Sequence, residues 1–234
     1  MDENAGGEMK IVVAARCYNE AHNVERFLKG YSFADEIVIS DGGSNDGSVE
    51  ALTGRDKVTL LHFGEYVEAG GFRWNPDAPH MNFVLDYAKS LEPTWLIFDD
   101  FDCVPNAYLR AEARFLLEHN LSFPQVNVFR LYMWGDDQYF PSMNNYFDPD
   151  YTSLWAWRPD VLNIYADSNE RHGTILGITA NNLKVETPLC LLHKSWHPDT
   201  VQFKIDRYNA VGLAMTHPLQ SAGELKPLPE WAHE

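Results

Sequence analysis

The sequence predicts a single α/β domain with a mixed, mostly parallel sheet flanked by helices. Two observations lead to it. Over the first hundred residues, apolar runs of strand length alternate with segments of helical period, and strands separated by helices pair in parallel through crossovers. Polar and charged residues gather at the carboxyl ends of those runs, where open sheets of this kind hold ligands. The chain has 234 residues, enough to bury one large core without staples. It shows no internal repeat and no low-complexity linker.

Lys10 to Ala14 is a continuous apolar run, read as a buried strand that continues through Ala15. From Asn19 the period lengthens. Val24, Phe27, Leu28 and Tyr31 fall at i, i+3, i+4 and i+7, one face of a helix. Glu36 to Ser40 is a second strand ending at Asp41. Asp46 to Leu52 reads as a short helix with Asp46 as its N-cap. Val58 to Phe63 is a third strand. Met81, Val84, Leu85 and Ala88 make another helical face. Trp95 to Phe98 is a fourth strand that runs into Asp99, Asp100, Phe101 and Asp102. Asn106 to His119 is a helix, with Leu109, Ala113 and Leu116 on one side. Gln125 to Trp134 alternates as a strand, and an irregular aromatic stretch follows to about Arg158. Val185 to Trp196 is a late strand and Pro198 to Met215 a last helix. Residues 1–9 are read as a disordered or extended N-terminus, 10–215 as the domain, and 216–234 as a C-terminal tail, loose or acting as a lid.

The charge balance excludes some partners. Asp and Glu number 34 against 18 Lys and Arg, a net charge of −16. Such a field repels nucleic acid and anionic lipid surfaces. No apolar run reaches the roughly 18 residues of a membrane span, and the first ten residues are too polar and acidic for a secretory signal. Cys17, Cys103 and Cys190 are odd in number and widely spaced. They form no metal-knuckle pattern and point to a reducing, cytoplasmic compartment. An anionic ligand in so acidic a protein needs local neutralisation, by a metal cation or by Arg or Lys.

Four segments carry chemistry. Ser40 to Ser48 is a glycine-rich turn between a strand and a helix; it reads equally as a turn capped by Asp46 or as a loop that holds a ribose or a base. Asp99, Asp100 and Asp102 crowd three carboxylates after an apolar strand, where they repel one another and lose solvation. A divalent cation relieves both, and carboxylates are hard ligands suited to Mg²⁺ or Mn²⁺. His193 ends the run Leu189 to Leu192, and a neutral imidazole there would complete such a site and favour Mn²⁺. A histidine at a strand end is also commonly structural. Between Tyr132 and Trp157 lie nine aromatics in 26 residues, read partly as core and partly as platforms for the apolar face of a sugar ring. The same stretch holds Asp136, Asp137, Asp148 and Asp150, candidates for a general base.

In order, Ala14-Ala15-Arg16-Cys17-Tyr18-Asn19-Glu20, then Glu36 to Ser48, then Trp95 to Asp102 resemble the family 2 glycosyltransferases, whose GT-A fold is a Rossmann-like sheet flanked by helices. Tyr18, Asn19 and Glu20 match the family's opening signature, and Asp41 to Gly47 its Asp-x-x-Ser-x-Asp-Gly turn. Asp100 and Asp102 match its Asp-x-Asp. The second half is similar to the small lipopolysaccharide-type branch. Phe147 to Arg158 resembles a Pro-Asp-Tyr segment that leads into a strand, with Asp150 at the position of the catalytic base. Leu192-His193, Lys204 and Tyr208 match a late strand and helix. Cys103 stands where the family usually has Glu, and Ser153 where Arg is common.

The resemblance implies an inverting transfer from a nucleotide-diphosphate sugar, a UDP-sugar by preference, to a hydroxyl of a glycan or glycolipid acceptor. Ala15, Arg16, Tyr18, Glu20, Asp41, Gly43, Ser44, Arg73, Asp100 and Lys204 would bind the donor. Asp100, Asp102 and His193 would hold Mn²⁺ or Mg²⁺, with Arg207 as a further candidate to neutralise the pyrophosphate. Asp150 would be the base, with Asp137 as second choice. Three alternatives are weighed against this. A catalytically silent nucleotide-sugar-binding module would not need Asp100, Asp102 and His193 together. A haloacid-dehalogenase-type phosphatase would use Asp100-Phe101-Asp102-Cys103-Val104, but on its first strand. A transferase acting on a modified DNA base would require a basic stripe, which the sequence lacks.

Overall fold

The computed structural model describes residues 8–140, 153–167, 175–199, 201–210 and 224–234. The chain begins with β1 (Ile11–Cys17), a 3₁₀ turn (Ala21–Asn23) and α1 (Val24–Gly30), then β2 (Glu36–Asp41), α2 (Ser48–Leu52) and β3 (Val58–His62). A hairpin of β4 (Val67–Ala69) and β5 (Phe72–Trp74) precedes α3 (Asp77–Ser90). After it come β6 (Trp95–Asp100), β7 (Cys103–Pro105), α4 (Ala107–His119), β8 (Gln125–Trp134) and β9 (Gln138–Tyr139). The last elements are β10 (Ser153–Trp157), β11 (Tyr165–Ala166), β12 (Ile175–Leu176), β13 (Leu183–Trp196), α5 (Val201–Ala210) and β14 (Lys226–Pro227).

Ten of these strands form one sheet among the described residues, with a main path β14-β9-β8-β10-β6-β1-β2-β3. The run β6-β1-β2-β3 is parallel, as the alternation of strands and helices predicts. The second half departs from the expectation of a mostly parallel sheet. β10 lies antiparallel between β6 and β8, and β9, β14 and β7 add further antiparallel pairs; only β13 on β8 restores a parallel one. The sheet is therefore mixed, with a continuous parallel run in the first hundred residues and one further parallel pair, β13 on β8, in the second half. Crossover helices separate the strands of that first parallel run.

Both faces of the parallel part are covered, which is why β1 is apolar without alternation. Ile11, Val13, Ala15 and Cys17 face α1 and α4 through Phe27, Leu109 and Ala113. Val12 and Ala14 face α3 through Met81, Val84, Leu85 and Ala88. The helix read from Asn19 starts later, because Asn19 takes a left-handed conformation (φ 58°) and its amide donates to Ser44 Oγ at 2.8 Å. This contact joins the loop after β1 to the turn after β2. The β4–β5 hairpin was not foreseen. Its two-residue loop is Gly70-Gly71, both at positive φ (57° and 81°), the backbone that tight hairpins require.

Of the C-terminal segment, the described residues 224–234 pack onto this body. β14 pairs with β9, and Ala232 is fully buried among Phe129, Leu131, Met133, Cys190 and Leu192. Asn106 ties it down. Its Oδ1 accepts from the Leu109 amide at 2.9 Å and caps α4, while Nδ2 donates to Pro188 O at 2.7 Å and Trp231 O at 2.9 Å. Replacing Asn106 with Ala removes the cap of α4 and leaves two part-buried carbonyls without their donor, so it should cost about 1–3 kcal/mol. Equilibrium urea unfolding at constant m-value measures the loss.

Candidate functional site

The carboxyl ends of β1 and β6 open into a cavity of about 280 Å³. Its wall contains Arg16 and Tyr18 from the end of β1, Glu20, Asp77 and His80 from α3, and Asp100 and Asp102 from the end of β6. His193 of β13 and Lys204, Arg207 and Tyr208 of α5 complete it. Sequence positions 16 and 208 thus meet in one chamber.

Of the three aspartates at the end of β6, Asp99 and Asp100 separate by strand alternation and Asp102 follows the strand. Asp99 turns into the core, 1% exposed. Its Oδ2 accepts the Tyr31 hydroxyl at 2.7 Å, and its Oδ1 pairs with an Arg130 guanidinium nitrogen at 3.0 Å. Burial raises the Asp99 carboxyl from its ordinary pKa, and Arg130 opposes that rise. Asp100 points the other way and pairs with Arg16 at 3.2 Å. Arg16 is also held by the Asp77 carboxylate at 3.2 Å. Asp102 lies 3.2 Å from His193 Nε2 and 3.6 Å from Lys204 Nζ. Burial alone would raise its pKa, but His193 and then Lys204 outweigh burial and hold it well below the usual carboxylate range.

Asp100, Asp102 and His193 offer ligand atoms all within 4.8 Å of one another. Two carboxylates and one imidazole, half-buried beside an open cavity, are a hard-to-borderline set that fits Mn²⁺ or Mg²⁺. His193 is fixed from both sides by backbone pairing, opposite Cys103 of β7 and Tyr132 of β8. Behind it, Arg26 donates to Asp102 O at 2.9 Å and Leu192 O at 3.0 Å and reaches the Glu234 carboxylate. One guanidinium thus fixes the backbone carrying two of the three side chains.

The remaining sequence candidates fall in different places. Glu20 lines the cavity; burial, followed by the neighbouring Asp102, pushes its pKa up to about 7. Ala15 is fully buried in β1. Asp41 is 2% exposed and acts on its own turn, accepting from the Gly43 amide at 2.8 Å and the Ser44 amide at 3.1 Å. Ser44 in turn holds Asn19. Gly43 (φ 91°) and Arg73 line an adjoining cavity of about 310 Å³ with Tyr18, Phe72, Phe203 and Arg207. The Arg73 guanidinium stacks on Tyr66 at 3.7 Å, and Arg207 lies over Tyr18 at 4.9 Å. Asp137 is exposed in the β8–β9 turn and lines neither cavity. Asp150 and Asp148 lie outside the described residues.

Sequence reasoning missed Asp77, His80 and Asn75. All three follow the unforeseen hairpin rather than an apolar strand, so no strand end pointed to them. The available signal was Asn75-Pro76-Asp77, a turn that starts a helix with an acid in its first turn. His80 Nε2 lies 3.0 Å from Ser40 O. Burial, then Arg16, lowers its pKa to about 4, which leaves it neutral at pH 7. Cys17 also lines the cavity, and burial pushes its thiol up to about 12.

No protein-family model and no curated protein matches the chain. Among the described residues, no helix is long and apolar enough to cross a membrane.

Asp99 separates structural from chemical acids in the cluster. Asp99→Ala leaves Arg130 buried without its partner and should cost about 3–5 kcal/mol, whereas the pair Asp99→Leu with Arg130→Met should recover most of the loss. A thermal and urea double-mutant cycle reads both.

Proposed function

We propose that this chain is a metal-dependent inverting glycosyltransferase of the GT-A fold, similar to family 2, that moves a sugar from a nucleotide-diphosphate sugar to an acceptor hydroxyl of a glycan or glycolipid. One observation carries the reading. Asp100, Asp102 and His193 converge in a cavity that also presents Arg16, Lys204 and Arg207, at the carboxyl ends of parallel strands. Glu20, Asp77, Asp100 and Asp102 share that wall, so in a protein of net charge −16 a divalent ion on the triad would supply the positive charge that an anion needs there. The nucleoside is assigned to the adjoining cavity of Tyr18, Gly43 and Arg73, with uridine the preferred base. Asp41 and Ser44 shape that cavity through the turn rather than by lining it.

The residues divide the work. Asp100, Asp102 and His193 would hold Mn²⁺ or Mg²⁺, which when bound offsets negative charge on a diphosphate leaving group. Arg207 and, once a divalent ion takes its place on Asp102, Lys204 would put positive charge on the same wall, where it favours a state with more negative charge on the leaving group, while Arg16 is held by Asp77 and Asp100. Asp150, assigned from the sequence, takes the proton of the acceptor hydroxyl; Asp137, the second choice from the sequence, is exposed and lines neither cavity. One base and one displacement give inversion at the anomeric carbon.

A panel of nucleotide sugars, incubated with and without Mn²⁺ and assayed for released nucleoside diphosphate, tests the reading. Release should require the metal and fall at least about 10²-fold in His193→Ala. Asp150→Asn should lower turnover about 10²–10⁴-fold while leaving donor affinity nearly intact. Absence of both binding and release across the panel would falsify the assignment.

Lys204 makes a separate prediction. Its ammonium sits on the carboxylate that a divalent ion would share. Lys204→Met should therefore tighten Mn²⁺ binding, followed by electron paramagnetic resonance, and at the same time slow release of nucleoside diphosphate. Weaker Mn²⁺ binding in this variant would argue against competition at Asp102.

A further inference from the structure

A third cavity of about 230 Å³ lies beyond Arg16, between α3, β6 and β10. It shares Arg16, Asp77 and Asp100 with the central cavity, and the central cavity shares Tyr18 and Arg207 with the one lined by Gly43 and Arg73. The two end cavities have no lining residue in common. The three therefore form a row. A nucleotide sugar is also a row of three parts: base, diphosphate, sugar. Resting on the glycosyltransferase reading above, we propose that this inner cavity binds the donor's sugar, and that it is built for a neutral, hydroxylated ring rather than an acidic one.

Three features of the cavity carry this. Its volume suits one monosaccharide. Phe98 and Trp157 line it together with Met81, Leu85 and Leu154, which gives the C–H face of a sugar ring an aromatic and aliphatic surface. Its lining residues also include three buried N–H groups without a hydrogen-bond partner among the described residues: Arg16 Nε, Arg130 Nε and Trp157 Nε1. Trp157 is 1% exposed. Leaving such donors unpaired is costly. All three are donors, so the missing partner must bring oxygen acceptors.

The charge count decides between ring types. Arg16 is held by Asp77 and Asp100 at 3.2 Å each, and Arg130 by Asp99 at 3.0 Å. Two guanidiniums thus meet three carboxylates, leaving no spare positive charge for the carboxylate of a uronic acid. Hydroxyl groups match instead: their oxygens accept from the orphan donors and their protons go to Asp77 or Asp100.

Calorimetric titration of the full chain in Mn²⁺ tests the proposal. The probes are nucleoside diphosphates, their neutral-hexose conjugates, the matching hexuronate conjugate and a free methyl hexoside. In the wild type, the neutral conjugate should bind at least tenfold tighter than its parent diphosphate and tenfold tighter than the hexuronate. Trp157→Phe removes one donor and keeps the ring; Leu154→Trp fills the space. Both should shrink the conjugate-to-parent ratio, the second to near unity, with parent binding reporting that the other two cavities stay folded. An unchanged ratio in both variants, or a hexuronate preference, overturns the proposal while the transferase reading stands. If the variants instead weaken only the free methyl hexoside, the cavity belongs to the acceptor and the donor assignment is overturned. Failure of every diphosphate to bind the wild type removes the transferase reading and this proposal together.

Discussion

Three acids follow one strand, and the molecule's arrangement depends on finding each a different cation. Asp99 goes inward to Arg130, Asp100 goes outward to Arg16, and Asp102 meets His193 and Lys204. Alternation along an extended backbone makes the first division. The partners of the second and third come from β1, β13 and α5, remote in sequence. Without them, like charges in low dielectric would repel one another and lose solvation. Electrostatic necessity at one strand end thus fixes where the second half of the chain must dock.

The same arrangement resolves a contradiction in the composition. A chain with a net charge of −16 is a poor long-range attractor of anions. Three of its 18 Lys and Arg, namely Arg16, Lys204 and Arg207, line a single cavity beside the acids that could hold a cation. Such local charge, close to low-dielectric walls, acts over a few ångströms, where screening by salt is weak. Encounter would owe little to the global field, and recognition much to the cavity.

Much of this was legible in the residues. β1, β2 and β6 follow from apolar runs, because both-face burial writes itself directly into composition, and β8 follows from its alternation. The convergence of Asp100, Asp102 and His193 was expected from acids stacked at a strand end and an imidazole ending another apolar run. Other features left no local trace. The antiparallel order of β10 between β6 and β8 lies in long-range pairing, which the irregular aromatic stretch around Trp155 and Trp157 does not signal. Asp77 reaches the site only because the Gly70-Gly71 hairpin redirects the chain ahead of α3. The polar, proline-bearing end looked loose, yet Ala232 and the Asn106 contacts anchor it; a single small apolar residue gives no periodicity to detect.

The double-sided pairing of His193 has a further consequence. β13 alternates Cys190, Leu191, Leu192 and His193 between β7 and β8. A slip by one position would drive the imidazole into an apolar layer and turn a leucine toward the acids, at the expense of core and chamber alike. Mistakes in assembling the strand are thus penalised by the oily interior before any ligand arrives. Chemistry in this molecule inherits its quality control from hydrophobic fit.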